Sequence, residues 1–156
     1  IRKNTQIRNS NIVFTSEKWM YKEIHTFIHT ANRNANWNLH WNYSEEIQFT
    51  EYKKGHHYDW HYDMFKEPFN APDNNNLNNK VRKLSAVVSL SDGDLEFYYG
   101  DLRFRKNEKN DFYIPKEMRN KGSIIVFPAF VFHRVTPVTK GTRYSLVNWN
   151  VGNPYV

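Results

Sequence analysis

The chain has 156 residues, 39% of them hydrophobic and 24% charged, with no cysteine and a net charge of +6 at pH 7. This length is typical of one domain, and the lack of cysteine excludes disulfides, thiolate metal sites and cysteine nucleophiles. The basic residues are scattered, and the longest apolar run, 124–132, is far shorter than the roughly 20 residues of a membrane helix, so we expect neither nucleic acid nor membrane as a partner.

The first predicted element is a helix over about 16–33. Apolar residues such as Met20, Ile24 and Ile28 recur there at helical spacing, directly after Thr15 and Ser16. Further along, short segments rich in aromatic and β-branched residues alternate with turn-forming clusters. These predicted strands are 46–53, 57–64, 81–90, 94–99, 101–106, 123–127, 130–135 and 142–150. A helix followed by strands without intervening helices favours a sandwich or jelly roll.

An asparagine-rich stretch, 70–79, has almost no apolar residues and interrupts the series of strands. We predict that it belongs to a mobile loop over about 65–80. Long loops of this kind in compact domains are either tolerated insertions or lids over a site.

Histidines and carboxylates crowd the segment 56–63. Residues two apart on a strand share a face, so His61 and Asp63 would lie side by side. His133 is the best third ligand, because an unpartnered imidazole is costly to bury in its apolar segment. Two histidines and one carboxylate suit Fe(II), since they leave coordination positions open. The spacing of His57 and Asp59 is the same, and a core histidine bonded to a backbone carbonyl is the alternative for each ring.

Arg143 supplies a second feature. Gly141 predicts a turn before it, which would place Arg143 on a strand adjoining that of His133. An arginine that points into an apolar barrel needs an anion, and its guanidinium matches a carboxylate. Ser145, on the same face, would add a hydroxyl contact. The alternative is a surface salt bridge.

The sequence resembles the Fe(II)- and 2-oxoglutarate-dependent dioxygenases, and among them the prolyl 4-hydroxylase-like group with its small bacterial and phage PKHD-type hydroxylases. The resemblance covers about residues 45–151. The matching segments are Tyr52-x-x-Gly55-x-x-Tyr58-x-x-His61-x-Asp63, Arg82-Lys83-Leu84-Ser85, 90–96, 127–138 and 141–149. This match selects His61 and Asp63 over His57 and Asp59. One departure is local, because Gly93-Asp94 stands where family members often have two glycines, and we expect it to affect a turn only.

The resemblance implies a single domain, 1–156, that is mainly β with an N-terminal helix and a double-stranded β-helix (jelly roll, cupin-like) core at about 45–151. It favours a lid for the loop at 65–80. It also implies site roles. His61, Asp63 and His133 would ligate iron, Arg143 would bind the distal carboxylate of 2-oxoglutarate with Tyr52 assisting, Tyr58 would line the same pocket, and Arg82 and Trp149 would face the substrate. Core packing is the alternative for Trp149.

The implied reaction consumes 2-oxoglutarate and O2, forms succinate and CO2, and hydroxylates a peptidyl proline, with ascorbate as an implied reductant. The expected partner is a peptide or protein that contains proline, and the expected location is the cytoplasm of a bacterium or a phage-infected host. Two alternatives stay open: an oxygenase of another amino acid or small molecule, and a jelly-roll binding protein without catalysis. Nucleic-acid binding is disfavoured because the sequence reveals no base-stacking platform.

Overall fold

The computed structural model describes residues 6–109 and 111–156. Residues 1–5 and 110, which the predicted single domain includes, lie outside this description. The elements are, in chain order, β1 (Arg8–Asn9), β2 (Asn11–Thr15), α1 (Lys18–Asn34), β3 (Tyr43–Ser44), β4 (Ile47–Tyr52), β5 (His57–His61), β6 (Val81–Ser89), β7 (Phe97–Tyr99), β8 (Leu102–Arg105), β9 (Phe112–Tyr113), the 3-10 helix η1 (Lys116–Arg119), β10 (Ile124–Pro128), β11 (His133–Val135), β12 (Val138–Gly141) and β13 (Arg143–Gly152).

The described strands form two main antiparallel sheets and a third, two-stranded one of β12 and β7. The larger sheet has the order β10-β6-β13-β4-β2, with β3 on β13, and the smaller has the order β1-β5-β11-β8-β9. Residues of both sheets meet in one core, for example Val87 and Phe127 from the larger and Leu102 and Val135 from the smaller. The predicted mainly β jelly-roll class with one N-terminal helix is therefore confirmed.

Helix α1 covers the outer face of the larger sheet. Ile24 and Ile28, one turn apart, are buried against Ile47, Leu84 and Ala86 of that sheet. Side chains four residues apart lie above one another on a helix, so this spacing supplies the stripe that the sheet needs. No helix in the described part of the chain is long and apolar enough to cross a membrane.

A β-bulge interrupts β6. Asn150 of β13 pairs with Leu84 and Val151 with Arg82, so Lys83 is an extra residue without an opposite partner on β13. An extra residue shifts the alternation of side chains by one position. Arg82 and Ser85, three residues apart, therefore face the same side of the sheet.

The predicted helix and each of the predicted strands have counterparts in the structure, but several boundaries differ. The strand predicted at 57–64 ends at His61, and that predicted at 130–135 begins only at His133, because turns follow and precede these two residues. Five short strands, at 8–9, 11–15, 43–44, 112–113 and 138–141, were not predicted. Most of them contain few apolar residues in alternation.

The segment 65–80 is a series of turns and not a structureless loop. The amide of Phe69 donates to the carbonyl of Lys80 at 2.9 Å, and the amide of Asn79 donates to the carbonyl of Phe69 at 2.8 Å. The side chain of Asn78 accepts a hydrogen bond from the amide of Ala71 at 3.1 Å. Asparagine makes such turns readily, so composition alone was a poor guide here. The mobility of this segment stays a prediction.

The helix–sheet contact generates a stability prediction. Ile28 is 0% exposed, so Ile28→Ala leaves a cavity and should lower the free energy of unfolding by about 2–5 kcal/mol. The neighbouring Phe27 is 52% exposed. Phe27→Ala should therefore change the free energy of unfolding by less than about 0.5 kcal/mol. Urea unfolding followed by circular dichroism measures both. Equal losses for the two variants would contradict the packing described here.

Candidate metal centre

Three potential metal ligands converge at one end of the smaller sheet. Strands β5 and β11 pair so that His61 lies directly opposite His133. Asp63 follows β5 by two residues, and its amide donates to the carbonyl of Ala129 at 3.1 Å. The ligand atoms of the three side chains all lie within 4.8 Å of one another.

Hydrogen bonds orient both imidazoles. The Nδ1 atoms of His61 and His133 lie 2.7 Å and 2.8 Å from the carbonyl oxygens of Asp59 and Val131. A carbonyl only accepts, so each Nδ1 carries the proton and each Nε2 keeps a free electron pair. Those Nε2 atoms lie 3.4 Å and 3.5 Å from Oδ1 of Asp63. Donors about 2.1 Å from one first-row ion at angles of 90–110° are about 3.0–3.4 Å apart, so the three side chains fit such an ion.

The carboxylate of Asp63 is buried, and its two oxygens have different partners. Its Oδ2 accepts a hydrogen bond from the Ser85 hydroxyl at 2.7 Å, which leaves Oδ1 facing the two histidines. Burial raises the pKa of Asp63, but His133 and His61 outweigh that effect and hold it well below its usual range. The site therefore places an anionic oxygen beside two imidazole nitrogens.

Arg143 occupies the opposite end of the same pocket. It begins β13, where it pairs with Tyr52 of β4, and its guanidinium carbon lies 5.4 Å from the centre of the Tyr52 ring. The residue is 3% exposed, and among the described residues no carboxylate forms a salt bridge with it. Burial lowers the pKa of Arg143, with Tyr52 acting in the opposite direction. A buried cation without a counterion is costly, so this end of the pocket is suited to an anion.

One pocket joins the two ends. Its walls include the apolar side chains of Val87, Leu102 and Val135. The predicted site residues that line it are Tyr52, Tyr58, His61, Asp63, His133, Arg143, Ser145 and Trp149. The Tyr58 ring stacks on that of His61, with 3.5 Å between centroids. The structure thus brings together every predicted site residue except Arg82, which lies beside the pocket.

Arg82 is held next to the metal ligands by an ion pair. Its Nε and Nη2 donate to the two carboxylate oxygens of Glu45 at 2.6 Å and 2.8 Å, and its Nη1 donates to the carbonyl of Asp63 at 3.3 Å. The guanidinium carbon lies 3.9 Å from the ring centre of Trp149 and 4.6 Å from that of Phe65. Trp149 is 8% exposed, and its Nε1 is buried with no hydrogen-bond partner among the described residues. The side chain both packs in the core and lines the pocket.

Two sequence expectations about placement were wrong. Asp63 does not lie on a strand beside His61, because β5 ends at His61 and the chain bends. Arg143 does not lie on a strand adjoining that of His133. After β11 the chain passes through β12, which pairs with β7, and turns at Gly141 with a φ of +75°. It thereby enters the larger sheet, so Arg143 faces the histidines across the core.

Sequence reasoning also missed two residues that act on the site. Ser85 stood in a matching segment without an assigned role, although a hydroxyl on a core strand is a signal for a buried hydrogen bond. Glu45 had no signal, because the adjacent Glu46 has the same chemistry and only the folded chain shows which one reaches Arg82.

Comparison with known proteins finds a family model that matches this chain. The model described as the 2OG-Fe(II) oxygenase superfamily matches residues 47–151. PKHD-type hydroxylases from Synechococcus sp. strains JA-2-3B'a(2-13) and JA-3-3Ab are each 39% identical to this chain over 51 residues. The match covers 32% of this chain but only 20% of each relative.

Solved structures show the same fold. A prolyl-4-hydroxylase from Pseudomonas putida has a TM-score of 0.69 and 21% identity, covering 97% of this chain and 77% of that one. A prolyl hydroxylase from Trichoplax adhaerens was solved in complex with a peptide fragment of the hypoxia inducible factor oxygen degradation domain. It has a TM-score of 0.68 and 17% identity, and the match covers 94% of this chain and 64% of that one. A viral collagen prolyl hydroxylase from Paramecium Bursaria Chlorella virus-1, in a 2OG complex, has a TM-score of 0.65 and 18% identity. The match covers 93% of this chain and 80% of that one.

The hydrogen bond from Ser85 to Asp63 generates a prediction about metal affinity. Removing such an outer partner of a ligand typically weakens metal binding by about 10–100-fold, and we expect a loss in this range for Ser85→Ala. Anaerobic calorimetric titration with Fe(II) measures it. Ser89 is a matched control, since it lies on the same strand, is equally buried at 0% exposure, and bonds to the carbonyl of Ser91 instead. An equal loss in Ser89→Ala would show that the effect is general destabilisation.

Proposed function

This chain belongs to the 2OG-Fe(II) oxygenase superfamily, and we propose that it hydroxylates a prolyl residue in a peptide or protein, consuming 2-oxoglutarate and O2. The proposal includes a single domain, 1–156, with a substrate lid at about 65–80. The observation that carries it is one pocket with a His-Asp-His cluster at one end and a buried arginine at the other. A dicarboxylic acid can contact both ends of this pocket at once. A jelly-roll binding protein without catalysis does not require such a combination.

The residues present fit the metal and the co-substrate. His61, Asp63 and His133 would hold Fe(II), which when bound supplies the activation of O2 coupled to the conversion of 2-oxoglutarate into succinate and CO2. The Arg143 guanidinium would bind the far carboxylate of 2-oxoglutarate through paired N–H donors. Tyr52 and Ser145, both almost fully buried beside it, can add hydroxyl contacts to the same carboxylate.

The remaining side chains orient and exclude water. Tyr58 covers one face of the His61 imidazole and limits its rotation. Val87, Leu102 and Val135 form an apolar wall between the two polar ends, so that charges within the pocket interact strongly. Fixed geometry of this kind is the contribution that a protein makes to cofactor chemistry.

The substrate side of the proposal rests on Arg82 and Trp149. Arg82 bonds to the carbonyl of Asp63 and is held in one orientation by Glu45, and Trp149 lies against the Arg82 guanidinium and lines the same pocket as Asp63. Several structural neighbours are prolyl hydroxylases, and the one from Trichoplax adhaerens holds a peptide, which supports a polypeptide substrate. The use of ascorbate and a cytoplasmic location stay predictions of the family resemblance.

Binding of 2-oxoglutarate provides the first test. Anaerobic addition of Fe(II) and 2-oxoglutarate should produce a visible metal-to-ligand charge-transfer band, which His61→Ala and Asp63→Ala should abolish. Arg143→Gln should need roughly 10–100-fold more 2-oxoglutarate, since it loses charge-assisted hydrogen bonds worth about 1.5–3 kcal/mol. Arg143→Lys keeps the positive charge but loses the paired N–H donors. It should need a 2-oxoglutarate concentration between those of the wild type and Arg143→Gln. Arg33→Gln, at the exposed end of α1, is the control. No band in folded wild-type protein would rule out the oxygenase.

The identity of the hydroxylated residue needs a separate test. Succinate formation should increase with peptides that contain proline and should stay at the substrate-free level with the same peptides carrying alanine instead. Mass spectrometry should find one added oxygen, on the proline. Equal stimulation by free amino acids, or by the alanine peptides, would favour an oxygenase of another substrate class.

A further inference from the structure

The outer surface of the smaller sheet carries alternating arginines and aromatic rings. We call this surface the arginine–aromatic face; its members are Trp60, Arg103, Arg105, Phe112, Phe132 and Arg134. Trp60 directly precedes the ligand His61, and Arg134 directly follows the ligand His133. Neighbouring residues on a strand point to opposite sides, so this face lies on the other side of the sheet from the metal centre.

The members of the face contact one another in a continuous row. The Trp60 and Phe132 rings stack, with centroids 5.4 Å apart and planes at 17°. The Arg134 guanidinium lies 5.7 Å from the Trp60 ring centre, and that of Arg103 lies 4.6 Å from the Phe112 ring centre. A groove of about 170 Å³ runs between them, several times the roughly 30 Å³ that one water molecule occupies.

The lining of this groove carries more positive than negative charge. Three arginines line it, and Asp111 is the carboxylate in its wall. The ammonium of Lys106 already lies 3.9 Å from Asp111. Asp101 and Asp59, which are not among the lining residues, form ion pairs with Arg103 and Arg134 at 3.7 Å, a distance too long for a hydrogen bond.

Two donors in the groove are unsatisfied. The Nε atoms of Arg103 and Arg134 are shielded from solvent and have no hydrogen-bond partner within the described ranges. A buried donor left without an acceptor costs about 1–3 kcal/mol. The rest of each arginine side chain is 26% exposed, and a guanidinium offers an incoming carboxylate parallel N–H donors in a matching fork.

The face is also connected to the active-site region. Tyr62, which stands between the ligands His61 and Asp63 and is 58% exposed, lies 4.7 Å from Phe132, ring centre to ring centre. A chain that leaves the metal centre over Tyr62 therefore reaches Phe132, then Trp60 and Arg134. We propose that the arginine–aromatic face binds an acidic segment of the polypeptide substrate, adjacent to the residue that is hydroxylated. This rests on the function proposed above.

A nucleic acid fits the same face less well. Single-stranded nucleic acids bind by stacking their bases on open aromatic ring faces. Here Trp60 and Phe132 stack on each other, and each of the three rings already has a guanidinium within 4.6–5.7 Å of its centre. Arginine forks beside such rings suit carboxylate side chains, which need no stacking surface.

Peptide binding to the full chain loaded with Fe(II) and 2-oxoglutarate under nitrogen tests the proposal. The probes are two fluorescein-labelled peptides with the same central proline, one flanked by glutamates and the other by glutamines. By fluorescence anisotropy, the glutamate peptide should bind roughly tenfold or more tightly than the glutamine peptide at low salt, and added salt should reduce this difference.

Variants assign the effect to the face. Arg103→Gln combined with Arg134→Gln should weaken binding of the glutamate peptide at least tenfold and leave that of the glutamine peptide unchanged. Arg103→Lys with Arg134→Lys should recover part of the loss. The matched control, Lys22→Gln with Arg33→Gln, removes the same charge from the exposed side of α1 and should have no effect. Circular dichroism confirms that each variant is folded.

Three results would overturn the proposal. They are equal binding of the two peptides, tighter binding of poly(U) RNA than of the glutamate peptide, and light scattering that shows a dimer broken by the Arg103/Arg134 double glutamine variant. The charge-transfer band of wild-type protein distinguishes failure of this proposal from failure of the proposed function. With the band present, a negative peptide result rejects the acidic docking surface alone; without the band, the oxygenase itself is rejected.

Discussion

The pairing of β5 with β11 is the constraint on which the site depends. It sets His61 opposite His133, and a shift of register by one residue would turn one of the two imidazoles to the outer side of the sheet. The same pairing contains an irregularity, since Val135 pairs with Tyr58 while His133 pairs with His61. Asp59 and Trp60 thus stand opposite the single residue Arg134, and this bulge places Tyr58 on the same side as His61.

A second bulge acts in the same way in the larger sheet. The extra residue Lys83 lets Arg82 and Ser85 both reach Asp63, one at its backbone carbonyl and the other at its carboxylate. Each sheet therefore departs from strict alternation once at the site, and each departure brings a pair of residues three apart to the metal centre. Bulges are commonly found where a strand must redirect a side chain.

The sequence predicted the helix, and it identified residues that the fold brings together in one pocket, for identifiable reasons. Helical periodicity is local, and His61, Asp63 and Arg143 stand in segments that match a family. Prediction failed where contacts are non-local. Strict period-two reasoning placed Asp63 on a strand, because neither bulges nor the bend after His61 has a local signal. Proximity along the chain suggested that Arg143 adjoins His133, whereas β12 carries the chain across to the opposite sheet.

Strands β5 and β11 serve two surfaces at once. Their inward side chains, His61 and His133, are fixed by hydrogen bonds to the backbone carbonyls of Asp59 and Val131. Their outward side chains, Trp60 and Arg134, belong to the arginine–aromatic face. Because the hydrogen bonds that orient the imidazoles come from the backbone, an outward side chain can change without disturbing the ligands, provided the register is kept. The geometry of the metal centre and the charge of the outer face are therefore separable properties, which allows the outer face to vary while the metal centre stays constant.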